Sequence, residues 1–238
     1  MLDVIVSQIA NGLVLGVLYV LIAIGLSIIF GLLGIVNFAH GAFFALGAYF
    51  ALTLYHTLGW PAVVLAPIGV GALGMVVERV LIRRLYIHDP LISLIVTFAL
   101  ALLIDALIRL IWGGSGQPFD APAIFNGFLL YGPILITKYR LAVLVITVAL
   151  LVGLWAFLSF TPLGRILRAG SRDAEMVGLL GINLPLVLTW VFGLGCALAG
   201  IAGLLAAPLW TVTPSMGTAA IMPAFVVVTI GGLGSYVG

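Results

Sequence analysis

Asn37 and His40 stand three residues apart in Gly31-Leu32-Leu33-Gly34-Ile35-Val36-Asn37-Phe38-Ala39-His40-Gly41, with long apolar sequence on either side. Both side chains donate and accept hydrogen bonds. In such surroundings the pair either lines a polar passage or satisfies carbonyls released where a helix ends. Asp105 and Arg109 are four residues apart and would share one helix face. An acid with a guanidinium one turn away reads as a local ion pair, its arginine reaching outward, rather than as the proton relay of an ion-coupled carrier. The third group is Arg165, Arg168 and Arg172, at i, i+3 and i+7, followed by Asp173 and Glu175. Gly170 suggests a break there, after which Ser171 can cap a helix whose first turn holds both acids.

Other chemistries fail on residue order. Gly113-Gly114-Ser115-Gly116 matches the G-x-S-G of an intramembrane serine protease, but a nucleophilic serine needs a histidine base. In those enzymes the base follows the serine; here His40, His56 and His88 all precede it. The motif reads as a flexible loop. No H-E-x-x-H occurs, and the three histidines are too far apart in sequence for a local metal site. The single cysteine, Cys196, rules out a disulfide framework or a Cys-built metal cluster. A phosphate-binding loop needs a lysine directly after its glycines, and the one lysine, Lys138, is followed by Tyr139. Any ATP hydrolysis must therefore occur on another chain, and no enzyme activity is expected.

The elements that position these groups must be membrane spans. The chain is 64% hydrophobic and 7% charged, with a mean hydropathy of +1.39, whereas a soluble domain carries about 25% charged residues. A net charge of +2, with no basic and aromatic residues interleaved in a polar stretch, excludes a nucleic-acid partner. Apolar runs fall at about 4–30, 42–58, 60–82, 91–112, 140–160, 185–209 and 218–238. They are far longer than the ~10-residue alternating strands of a membrane barrel. The expected fold is an all-α, polytopic transmembrane helical bundle of about seven spans, forming one domain over 1–238.

Basic residues near span ends mark the cytoplasmic side. Arg79, Arg83 and Arg84 follow the third run, and Arg165, Arg168 and Arg172 follow the fifth. The Gly- and Pro-rich stretch 113–139 then reads as an outer loop, 161–183 as a cytoplasmic segment, and the N-terminus falls outside. Two stretches interrupt apolar sequence, 31–41 and 208–217, the second containing Pro214 and Gly217. They are either ordinary tight connections or the paired breaks that flank a transport pathway. On the pathway reading, Asn37, His40, Gly41, Pro214 and Gly217 are its candidates. Gly195, Ala199, Gly203 and Ala207 form a small-residue ridge on one helix face, as Gly12 and Gly16 do in the first run. Such ridges let helix backbones approach closely in lipid. The last run ends without a polar tail, and the chain is expected to be cut short of its natural end.

The first break, continuing through Leu46-Gly47-Ala48-Tyr49, resembles the N-terminal signature of the branched-chain amino-acid ABC importer permeases, the Liv-type inner-membrane family. Gly164-Arg165, Arg168-Ala169, Ala174, Gly181-Ile182 and Ala197-Leu198-Ala199-Gly200-Ile201-Ala202-Gly203 are similar to that family's cytoplasmic loop and following helix. Pro214-Ser215-Met216-Gly217 and Gly231-Gly232-Leu233-Gly234-Ser235 resemble its C-terminal motifs. Many members carry an acid after the first motif's glycine, where this chain has Ala42.

The resemblance implies a multi-pass permease subunit in a bacterial-type inner (plasma) membrane that moves apolar amino acids inward. Its implied partners are a second permease subunit, two ATPase subunits and an outer substrate-binding protein. This chain would bind no cofactor; ATP and Mg2+ would sit on the ATPases. Arg165, Arg168, Arg172, Glu175 and Gly181 would form the coupling segment. Glu175 and Gly181 match the outer positions of an E-A-A-x-x-x-G motif in which Met176 and Val177 replace the alanines. Alternatives are a permease for urea, short amides or other small polar solutes, and a stand-alone channel or ion-coupled carrier.

Overall fold

The computed structural model describes residues 2–86, 88–131, 134–170 and 174–232. Nine α-helices run through the described residues: α1 Leu2–Leu33, α2 His40–Leu58, α3 Ala62–Val80, α4 Pro90–Trp112, α5 Lys138–Phe160, α6 Pro162–Gly170, α7 Ala174–Leu179, α8 Leu184–Ala206 and α9 Met216–Gly231. Six of them, α1 to α5 and α8, are long and apolar enough to cross a membrane, and α9 is a shorter apolar helix. The chain is an all-α polytopic bundle, and the seven expected runs correspond to these seven helices.

Local chemistry sets several boundaries. Asp89 caps α4 by accepting from the Leu91 N–H at 2.8 Å, with Pro90 at the first helical position. Asn183 caps α8 by accepting from the Leu186 N–H at 3.3 Å, with Pro185 in the first turn. Pro67 and Pro223 lie inside α3 and α9. Neighbouring helices make such prolines tolerable in a membrane bundle.

The bundle is organised around α8, which packs against α1, α2 and α3. At the α2 crossing, a Cβ on Gly47 would collide with the backbone of Gly200, and one on Gly203 with the carbonyl of Phe44. Gly195 lies against Gly25 and Ile29 of α1, while Gly193 lies against Met75 of α3. The ridge of Gly195, Ala199, Gly203 and Ala207 is buried within the chain's own bundle. Lipid offers no hydrophobic drive between helices, so this close packing supplies much of their association.

α1 runs the full length of the bundle. Asn11, in its first half, accepts a hydrogen bond from Arg140 at the start of α5, and Leu32, in its last turn, lies against Gly170 of α6. Stretch 113–139, expected as an outer loop, carries secondary structure of its own. It contains an antiparallel hairpin, β1 Phe128–Tyr131 and β2 Ile134–Thr137, in which Phe128 pairs with Thr137 and Tyr131 with Ile134. The β-branched Ile136 and Thr137 suit a pleated strand. Gln117 and Val212 also bridge in antiparallel fashion, tying this loop to the second break.

Candidate functional site

The two interrupted stretches meet inside the bundle. α1 stops at Leu33, six residues pass, and α2 starts at the fully buried His40. α9 starts at Met216, after the second break. A Cβ on Gly41 would collide with the carbonyl oxygen of Gly217, and one on Gly217 with that of Gly41. The two helix starts therefore touch backbone to backbone. Beside this contact lies a cavity of about 220 Å³ between α2, α4 and α9. Pro214 and Gly217 line it, together with Ala42, Ala45, Ala101 and Asp105 among others.

Asn37 and His40 are not on the cavity wall. The Asn37 Oδ1 accepts from the Ala39 N–H at 3.1 Å, shaping the turn into α2. The His40 Nε2 is 3.2 Å from the carbonyl of Ile22, which makes it the donor there and pins the start of α2 to the middle of α1. Gly25 makes room for the imidazole ring. From the other side, the Phe38 N–H donates to Thr97 Oγ1 of α4 at 3.2 Å. The break is thus held by both neighbouring helices. Asn37 Nδ2 and His40 Nδ1 have no hydrogen-bond partner among the described residues.

Asp105 and Arg109 form an ion pair, Nε to Oδ2 at 2.8 Å, with the arginine half-exposed. Asp105 Oδ1 is buried and has no hydrogen-bond partner among the described residues. Among the described residues no group of three or more His, Cys, Asp or Glu side chains gathers at one place.

Sequence reasoning missed Glu78, which is fully buried near the end of α3. Its carboxylate accepts from the Arg83 guanidinium at 3.2 and 3.3 Å, from the Tyr86 hydroxyl at 2.7 Å and from Thr189 of α8 at 2.7 Å. Arg83 also donates to the carbonyl of Pro185 at 3.1 Å. Burial, and then the bond to Glu78, push the Tyr86 hydroxyl well above its usual range, so it stays a donor. An acid beside Arg79 and Arg83 was the available signal; topogenic charge accounted for the arginines and left the acid unread.

Sequence comparison places these features in a known lineage. The family described as "Branched-chain amino acid transport system / permease component" matches residues 8–238. The chain belongs to this family. The high-affinity branched-chain amino acid transport system permease protein LivH of Escherichia coli (strain K12) is 31% identical to it over 249 residues, covering 98% of this chain and 80% of that protein. BraD of Pseudomonas aeruginosa, a permease protein of the same description, shows the same identity and coverage. A probable LivH of Methanocaldococcus jannaschii is 25% identical over 91% of this chain and 70% of its own length. No solved structure matches the chain.

Around α6 and α7 of this permease-family chain, the expected coupling residues have different surroundings. Arg168 turns back onto the last turn of α5, donating to the carbonyls of Leu158 and, at 3.4 Å, Ser159. It caps that helix end, where a cation also complements the dipole. Arg165 is exposed. Gly181 turns the chain toward α8 at a φ of 78°, a conformation glycine adopts without strain. Arg172 and the side chain of Glu175 lie outside the described residues.

Proposed function

We propose that this chain is one of two permease subunits of an ATP-driven importer of branched-chain, apolar amino acids in a bacterial inner membrane. The observation that carries the reading is the contact of two interrupted helices at Gly41 and Gly217, beside a cavity, in a chain of this family. Irregular backbone at membrane depth is tolerated where it is buried in protein or lines a cavity. A second permease subunit completes the pathway, and a binding protein delivers solute at the face formed by 113–139. Two ATPases, carrying ATP and Mg2+, dock on 161–183 through Arg165, Arg172 and Glu175.

The packing supplies a mechanical route. Arg168 ties α6 to α5, and Gly170 sets it against Leu32 of α1. α1 in turn holds the start of α2 through His40 and packs on α9. A shift of α6 on ATP binding is thus passed to both helix starts as a rigid-body adjustment of packed helices. Reconstitution in proteoliposomes with the partner permease, ATPases and binding protein tests this. ATP-dependent leucine accumulation is expected. Transport by this chain alone without ATP would replace the reading with a channel or carrier, and uptake of urea or short amides without leucine would replace the cargo.

A further inference from the structure

The cavity beside Gly41 and Gly217 has a chemical character that goes beyond the import reading on which this inference rests. Among the described residues its wall carries one charged side chain, Asp105. The rest is almost wholly apolar, with Ala42 and Ala45 from α2, Ala101 from α4 and Ile221 from α9. Asp105 stands seven residues before the end of α4, about 10 Å along the helix axis from it. Its two carboxylate oxygens are not equivalent. Oδ2 is engaged by Arg109 at 2.8 Å, whereas Oδ1 is buried without a partner among the described residues. A buried carboxylate oxygen with no donor is an unmet acceptor, and filling it from solute gives a charge-assisted bond.

We infer that Asp105 recognises the ammonium group of the passing solute, while the alanine walls receive its branched alkyl chain. An ammonium offers three donors and a compact positive charge, which suits a carboxylate on the wall of an otherwise apolar space. A carboxylate of the same shape without the ammonium brings like charge against Asp105 and is rejected. Arg109 shares the same carboxylate, so the contact holds the solute without trapping it. A pathway needs that balance, since binding must allow both entry and exit. Selection for a cationic end is then built into the permease itself, in addition to whatever the binding protein chooses.

The test uses the assembled permease–ATPase complex in nanodiscs without binding protein. Thr218, exposed on the cavity wall, is replaced by cysteine and labelled with a small methanethiosulfonate; the native Cys196 is fully buried. Leucine and leucinamide, which keep the ammonium, should slow labelling severalfold, and 4-methylpentanoate, which lacks it, should not. Asp105→Asn should abolish protection by both amines, and Asp105→Glu should retain it. Equal protection by 4-methylpentanoate, protection surviving in Asp105→Asn, or no protection by any solute would overturn the assignment. If Asp105→Asn fails to assemble, the three-solute comparison in the Thr218→Cys protein decides alone. Leucine uptake by the wild-type complex is read separately. Its absence with selective protection intact would defeat the import reading and leave the recognition standing.

Discussion

Gly41 and Gly217 occupy each other's side-chain space: neither helix start can carry even a methyl group while the other keeps its place. Gly41→Ala or Gly217→Ala must therefore push α2 and α9 apart. Overpacking of this kind destabilises by about 1–3 kcal/mol. Thermal unfolding in detergent should show a lowered Tm for both variants. Gly12→Ala is the control, because nothing lies within 4 Å of a Cβ there. It should leave Tm unchanged or raise it slightly, as alanine is the better helix former.

The Glu78 network should behave as a clamp between α3 and α8. Glu78→Ala removes the shared acceptor of Arg83, Tyr86 and Thr189. Arg83 is one-third exposed and can turn to water, which limits the loss to about 1.5–3 kcal/mol. Thr189→Val should lose less, about 1 kcal/mol. Arg83→Lys should destabilise by about as much as Thr189→Val, about 1 kcal/mol, since one ammonium cannot reproduce the two-oxygen grip of a guanidinium. Denaturation of the three variants under one condition checks the order.

Alkaline stability should depend on Tyr86. Its hydroxyl is raised from 10.0 in the folded chain, so the unfolded chain binds fewer protons once the pH passes that value. Stability from this group is full below about pH 10 and falls as pH rises further. Tyr86→Phe should lose the Glu78 bond at neutral pH yet show a flatter alkaline limb. A Tm series above neutrality for both proteins checks it.

Arg165 and Arg168 should separate docking from folding. Arg165 is exposed, whereas Arg168 caps the end of α5. Arg165→Glu should weaken co-purification of the ATPases with little change in Tm. Arg168→Glu should lower Tm in the permease alone, because its partners are this chain's own carbonyls. Pull-down and thermal unfolding on the same preparations distinguish the two effects.

The spans were legible because a lipid-facing helix must be apolar almost throughout. The hairpin was not, since two four-residue strands are too short to show a period. Glu78 was illegible for a different reason: one of its partners, Thr189, lies 111 positions away. His40 was found as a polar residue in a break, but its direction was hidden. That is set by Ile22, 18 positions back on another helix. Asp105 was read correctly as half of an ion pair, while its second oxygen became visible only once α2, α4 and α9 enclosed a cavity.

The most direct test of the account is to tether the two helix starts across the cavity. Ala42→Cys and Thr218→Cys, both on its wall, would be bridged by a short bis-methanethiosulfonate in the complete, reconstituted importer. The account expects ATP-driven leucine uptake to stop on bridging and return on reduction, with either single cysteine variant unaffected by the reagent's length. Undiminished uptake through the bridged protein would contradict it, because solute would then be crossing somewhere other than between α2 and α9.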